Sequence, residues 1–286
     1  MEIEEFLTRI SLSGADPTIF TLYEKGENVT ASGKKVYFDK RTLKTYTRTE
    51  DTVVIGLIEY EEPFPKQIFA MEPEGLKYIL SESSNLKIEE NSLVATGNID
   101  CRWKLEVLGK SKTLELKYDQ PDIPLTKELI ARIIRADSVL DATTVRMSST
   151  GQEVIIELSG KMKSNLAKVR MPFKGEKFES IYQKRYIECL KLAANNDVLL
   201  NVDGYKPEAR RDTRGAGRIL LKDDNSSIAY YVTEVTRSIN DEKRAAKVSV
   251  PKDVKTLEEH SEAIPDVNGD DMEADQGFVD AGDNDV

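Results

Sequence analysis

The chain has little of what most catalytic and metal chemistry needs. Its 286 residues include one histidine, His260, two cysteines, Cys101 and Cys189, and one tryptophan, Trp103. A single imidazole near the end of the chain excludes histidine-based triads and histidine metal sites. The cysteines lie far apart with no Cys or His at ligand spacing, so buried free thiols are expected. No apolar run approaches the roughly 20 residues a membrane helix needs. The start, Met1-Glu2-Ile3-Glu4-Glu5, is acidic and lacks the basic region of a secretory signal, which points to an intracellular, soluble protein with no membrane partner. No GxxxxGK[ST] loop occurs, and Gly215-Ala216-Gly217 is not followed by a nucleotide-binding pattern. The aspartates are scattered. The expectation is a non-enzyme with no catalytic residue, no metal and no cofactor.

An overall basic charge is also missing, yet the net charge of −10 is unevenly placed. From Lys252 to Val286 there are twelve acidic residues and two lysines, which accounts for all of it and leaves residues 1–251 neutral, with 39 bases and 39 acids. The end of the chain is polar, highly charged and expected to be disordered. As a tail it reads as solubilising, with a partner-binding or DNA-mimicking role as the alternative.

What is present is a repeat. Glu5-Phe6-Leu7-Thr8-Arg9-Ile10 returns as Glu128-Leu129-Ile130-Ala131-Arg132-Ile133, with three of six residues identical. A second echo places Leu76-Lys77-Tyr78-Ile79-Leu80 opposite Tyr186-Ile187-Glu188-Cys189-Leu190. Chance is the competing explanation over so few residues, but the order of elements agrees too. A repeat of about 110–120 residues is domain-sized. Each copy reads as an amphipathic helix, extended runs, a second helix and more extended runs. Helices are expected over residues 3–12, 72–82, 126–137 and 184–194, the second opened by Pro73 and the third by Thr126. On the third, Leu129, Ile130, Ile133 and Ile134 occupy one arc; on the fourth, Tyr186, Ile187, Leu190 and Ala194 point inward. Strands are expected at Thr18–Tyr23, Val29–Ala31, Lys35–Asp39, Thr42–Arg48, Thr52–Tyr60, Gln67–Met71, Leu86–Glu89, Ser92–Thr96 and Cys101–Leu108 in the first half. In the second they fall at Thr143–Ser148, Glu153–Ser159, Leu166–Met171, Glu179–Gln183, Val198–Val202, Arg218–Lys222 and Ala229–Val235. The fold class is therefore α+β, two similar domains each with two helices packed on antiparallel sheet. The division is residues 1–108, a Pro-bearing connector over 109–125, a second domain over 126–237, and the acidic tail over 238–286.

Bases on the outer helix faces are the functional lead. Lys127, Arg132 and Arg135 from one helix and Lys184 and Lys191 from another, with Arg185 on its flank, would form one surface. Such a surface meets phosphates without reading bases. The first half offers only Arg9 and Lys77, against Glu2, Glu4, Glu5, Glu72, Glu74 and Glu82. A loop over 204–217 carries Arg210, Arg211 and Arg214, a further candidate contact.

The arrangement resembles the DNA sliding clamps, the family of proliferating cell nuclear antigen and the bacteriophage clamps. The resemblance covers residues 1–236 and is best in the second half. It runs from Glu128-Leu129-Ile130-Ala131-Arg132-Ile133 through Gln152-Glu153-Val154-Ile155-Ile156-Glu157-Leu158 and Tyr186-Ile187-Glu188-Cys189-Leu190-Lys191 to Ile228-Ala229-Tyr230-Tyr231-Val232-Thr233-Glu234-Val235. The resemblance implies three subunits joined head to tail around duplex DNA, tethering a DNA polymerase after a clamp loader has opened the ring. It also implies a partner-peptide groove beneath the connector, formed by Leu114, Leu116, Tyr118 and Ile123 with Tyr230, Tyr231, Val232 and Val235. The distance from cellular members suggests a viral clamp working in the host cytoplasm or a replication compartment. Two other readings stay open: a monomeric DNA-binding polymerase accessory factor of the same fold, and a non-DNA interaction protein acting through its acidic tail.

Overall fold

The first half opens with helix α1 (Ile3–Ile10), which buries Phe6, Leu7 and Ile10, the face its spacing predicts. The computed structural model describes residues 1–29, 33, 35–98, 100–108, 121–161, 165–202 and 216–235. The expected disordered tail and the arginine loop, with Arg210, Arg211 and Arg214, lie outside them, as do Leu114, Leu116 and Tyr118.

After α1 come β1 (Thr18–Tyr23), a small hairpin of β2 (Gly26–Val29) and β3 (Lys35–Phe38), β4 (Thr42–Arg48), β5 (Thr52–Glu59) and β6 (Ile68–Met71). Of the strand expected at Val29–Ala31, Val29 ends β2, and Thr30 and Ala31 lie outside the described residues. Helix α2 (Pro73–Glu82) has its proline at the first turn, where the missing N–H costs nothing. Strands β7 (Ser83–Glu89), β8 (Ser92–Gly97), β9 (Cys101–Lys104) and β10 (Glu106–Leu108) follow.

The second half has β11 (Ile123–Leu125), α3 (Lys127–Leu140), β12 (Ala142–Ser149), β13 (Glu153–Gly160), β14 (Leu166–Pro172) and β15 (Glu179–Gln183). It ends with α4 (Arg185–Leu192), β16 (Val198–Val202), β17 (Ala216–Asp223) and β18 (Ser226–Thr233). Helix α3 runs three residues past the expected Asp137. Its stop is Asp141, in the left-handed region at φ 46°, whose N–H donates to the Asp137 carbonyl. The connector ends in a strand: β11 pairs with β16, setting Ile123 opposite Leu200.

The sheets explain the repeat. In the second half, β15-β12-β13-β14 is one antiparallel sheet; in the first, β6-β1-β4-β5 has the same order. Likewise β7-β8-β9 in the first half matches β16-β17-β18 in the second. The two halves meet where β5 pairs antiparallel with β18, seven residue pairs from Thr52↔Val232 to Ile58↔Ser226. One nine-stranded sheet, β10-β6-β1-β4-β5-β18-β17-β16-β11, therefore runs through both halves. In the middle of β5, Gly56 admits the Phe6 ring; a Cβ there would sit 2.6 Å from it, so the glycine marks the close approach of α1.

The helices form a layer against these sheets, with α1 beside α2, α3 beside α4, and α1 touching α4 across the midline. Helix α4 has neighbours on both sides, which is why it buries Cys189 as well as Tyr186, Ile187 and Leu190, while Ala194 is only half-buried. Burial holds the Cys189 thiol well above its usual range, and both cysteines are free. Among the described residues, no helix is long and apolar enough to cross a membrane.

Candidate nucleic-acid interface

The outer face of the helix layer gathers the charged residues, and its two ends differ. On α3, Lys127, Arg132 and Arg135 are exposed, and their side chains have no partner among the described residues. The helix is set by a cap: Thr126 Oγ1 accepts from the Leu129 N–H at 3.4 Å, and Asp197 accepts from the Lys127 N–H at 2.8 Å.

The bases of α4 are engaged. Lys191 Nζ lies 2.8 Å from Asp137 Oδ2, and Asp137 is buried. The other oxygen of that carboxylate accepts from the Ala142 N–H at 3.2 Å, so Asp137 fixes the end of α3 and ties it to α4. Lys184 donates to Asp141 at 2.8 Å. Asp141 also pairs with Lys161 at 2.6 Å. Lys161 and Lys184 together pull its carboxyl down to about 2, and Asp141 in turn raises the Lys184 ammonium. Arg185 donates to the Ser13 carbonyl at 3.1 Å and to Glu188 at 2.7 Å, and its Nε lies 3.4 Å from Asp51.

The first pair contributes almost no free base. Arg9 is 12% exposed: one nitrogen donates to the Leu192 carbonyl at 2.7 Å and another to Glu5 at 2.7 Å. Lys77 Nζ donates to Thr8 Oγ1 at 2.8 Å. Around them Glu2, Glu4, Glu5, Glu72 and Glu74 are exposed. Of the candidates on the helices, three side chains therefore have no partner among the described residues, and five are held by partners that lie far away in sequence. Arg9 and Arg185 both cross the midline and bind the halves to each other.

The expected groove is only partly described. Ile123, Tyr230 and Val232 are buried, and the Tyr230 hydroxyl donates to the Arg9 carbonyl at 2.9 Å. Those three side chains belong to the core. Tyr231 and Val235 are half-buried and alternate with them along the last strand and its continuation. What sequence reading missed here is Asp122. It accepts from Asn201 at 2.9 Å and from Arg218 at 2.5 Å, pinning the end of the connector to β16 and β17. No spacing in the sequence relates those three residues.

Several strands end a sheet with one side unpaired among the described residues, and two of them bear on the repeat. In the sheet β7-β8-β9 this strand is β9, whose Trp103 approaches Gly75 of α2, and in β15-β12-β13-β14 it is β14, which packs against α3. They hold the places that β18 and β5 hold at the midline. Four of the six large apolar side chains that stand exposed among the described residues cluster there. Trp103 on β9 packs against Gly75 of α2, with Tyr78 one helical turn on; Leu166 begins β14, and Val139 lies in the last turn of α3.

The fold matches known structures. Proliferating cellular nuclear antigen from Entamoeba histolytica superimposes with a TM-score of 0.53 at 14% identity, covering 81% of this chain and 96% of that one. PCNA of A. fulgidus, in a complex with the C-terminal region of FEN-1, gives 0.56 at 16% identity, covering 83% and 98%. A putative DNA polymerase III beta subunit from Eubacterium rectale gives 0.57 at 14% identity; the match takes in 82% of this chain but 63% of that longer one. No protein-family sequence model matches the chain, and no curated protein matches it by sequence. The fold is that of the DNA sliding clamps, α+β with two helices and antiparallel sheet in each half.

Proposed function

From this sliding-clamp fold we propose that the protein is a DNA polymerase processivity clamp. Copies join head to tail, three to a ring, and the ring encircles duplex DNA without reading its sequence. The observation that carries this is the relation of the edges. The chain contains one completed joint, β5 with β18, and the two unmatched halves of another, β14 and β9. A surface that is complementary to a different patch on the same molecule makes a heterologous contact, which closes into a ring when the rotation allows. Pairing β14 of one copy with β9 of the next hides two open edges and covers Leu166 and Trp103.

Within the ring the chain's two halves, 1–108 and 126–237, act as paired clamp domains. The helix layer faces the duplex. Lys127 and Arg135 supply free phosphate contacts, and Lys184 and Lys191 lie beside them in ion pairs. Half-buried Tyr231 and Val235 lie near the anchored end of the connector, where a peptide from a polymerase or loader would dock. The identities of 14–16% to cellular clamps fit a divergent, viral member. Nothing in this role calls for catalysis.

The test is the molar mass of the full chain by light scattering over a range of concentrations, followed by retention on nicked circular against linear DNA. A mass near three chains, with retention on circles and loss from free ends, is the expected result. A monomer at every concentration moves the reading to a charge-held accessory factor.

A further inference from the structure

We infer that Arg132 is a clasp between copies of this chain, holding the end of α2 in the neighbouring subunit, and not a DNA contact. The inference rests on the ring reading above and names a residue that makes its joint.

The completed joint supplies the template. Arg9 reaches across the midline from α1 to the C-terminal end of α4, where its guanidinium donates to the carbonyl of Leu192 at 2.7 Å and is 3.4 Å from that of Ala194. The Leu192 carbonyl is the last of the helix and belongs to the negative end of its dipole, while that of Ala194, just past the cap, also accepts from Asn196 at 3.2 Å. In the repeat, Arg132 of α3 stands where Arg9 stands in α1, and α2 stands where α4 stands.

Three local observations agree. The first concerns direction. Thr8, next to Arg9, faces α2 through Lys77, so Arg9 points away from its own helix partner. By the same register, Arg132 points away from α4, towards the open edge. At about 100° per residue, Arg132 and Val139 lie about 20° apart on α3. Val139 is 79% exposed, so the base and the apolar side chain share a flank.

The second concerns the receptor. Helix α2 has no basic residue in its last turn, and it ends in Glu82. Helix α4 has both Lys191 and the incoming Arg9 at the matching place. The end of α2 therefore keeps a negative dipole and an acid with no cation supplied by its own last turn.

The third concerns the partner surface. Tyr78 and Trp103, the exposed apolar pair of that edge, flank Gly75, which takes the repeat position of Arg185. The tie that Arg185 makes at the midline has no counterpart here. Arg132 is left as the basic side chain that repeats a midline tie at the open edge.

The experiment is sedimentation velocity on the full chain and its variants across a concentration series at fixed salt. Replacing Arg132 by Ala should raise the concentration needed for half-assembly about tenfold, the effect of one charge-assisted hydrogen-bonded contact. Arg132→Lys should fall between, since an ammonium keeps the charge but not the planar fork. Lys127→Ala removes the same charge from the same helix and should leave assembly unchanged. Arg132 is exposed, so thermal melting at concentrations where the parent is not assembled should match the parent for each variant. An Arg132→Ala chain that assembles like the parent overturns the clasp and leaves the ring standing. A parent chain that stays monomeric throughout overturns the ring and the clasp with it.

Discussion

The two helix pairs have interchangeable inner faces and opposed outer ones. Phe6, Leu7 and Ile10 of α1 do for the first half what Ile130 and Ile133 of α3 do for the second. Outside, the first pair shows Glu4, Glu5, Glu72 and Glu74, whereas the second shows Lys127, Arg132 and Arg135. The core fixes how a helix sits on its sheet; what its far side carries is left to function. In a ring of these chains, acidic and basic arcs alternate. Phosphates would be drawn to half of the arcs and repelled by the others, which keeps a duplex threaded without holding it in one place.

The most direct way to break that contrast is to make the second pair acidic. The double change Lys127→Glu and Arg135→Glu should weaken DNA binding at low salt by about tenfold or more, and lower the salt slope by roughly two. Titration at several salt concentrations checks both. Assembly should persist, because neither residue has the position of a midline tie.

A smaller effect is expected at Lys191, where the basic face and the fold share a side chain. Removing it by Lys191→Ala leaves the buried Asp137 carboxylate with one hydrogen bond fewer and only the more distant charge of Lys184 to balance it. The expected cost is about 1–3 kcal/mol, towards the low end because Lys191 itself is half-exposed. Urea unfolding of the parent and variant measures it. An unchanged midpoint would show that solvent replaces the ammonium.

Much of this architecture was legible in the letters. Pro73 announced α2, the apolar spacing announced α1 and α3, and the echo of Arg9 in Arg132 announced the duplication. The side-chain assignments were less legible, for a physical reason. Whether a basic residue is free depends on partners set by tertiary packing: Leu192 for Arg9, Ser13 and Asp51 for Arg185, Asp137 for Lys191. Helical periodicity tells which side of a helix a base is on, not which distant carbonyl or carboxylate awaits it. The groove residues met the same limit. Strand alternation separates Tyr230 and Val232 from Tyr231, but only the fold says that the first two face the core.

The finest contrast within the second pair turns on Asp141, which holds Lys184 and Lys161 at the end of α3. Its carboxyl is lowered from 3.8 to about 2 by those two lysines. A lowered acid stabilises the folded state above its unfolded value and loses that contribution as protons reach the folded one. The stabilisation should therefore be complete above about pH 4 and fade as pH falls through about 2. Asp141→Asn should flatten that part of the pH–stability curve, measured by thermal melting. At neutral pH the same change releases Lys184 to the outer face, so DNA affinity should rise about twofold while the melting temperature falls slightly. A gain in affinity without any loss on acidification would mean that the lysines, not the carboxylate, are what the end of α3 depends on.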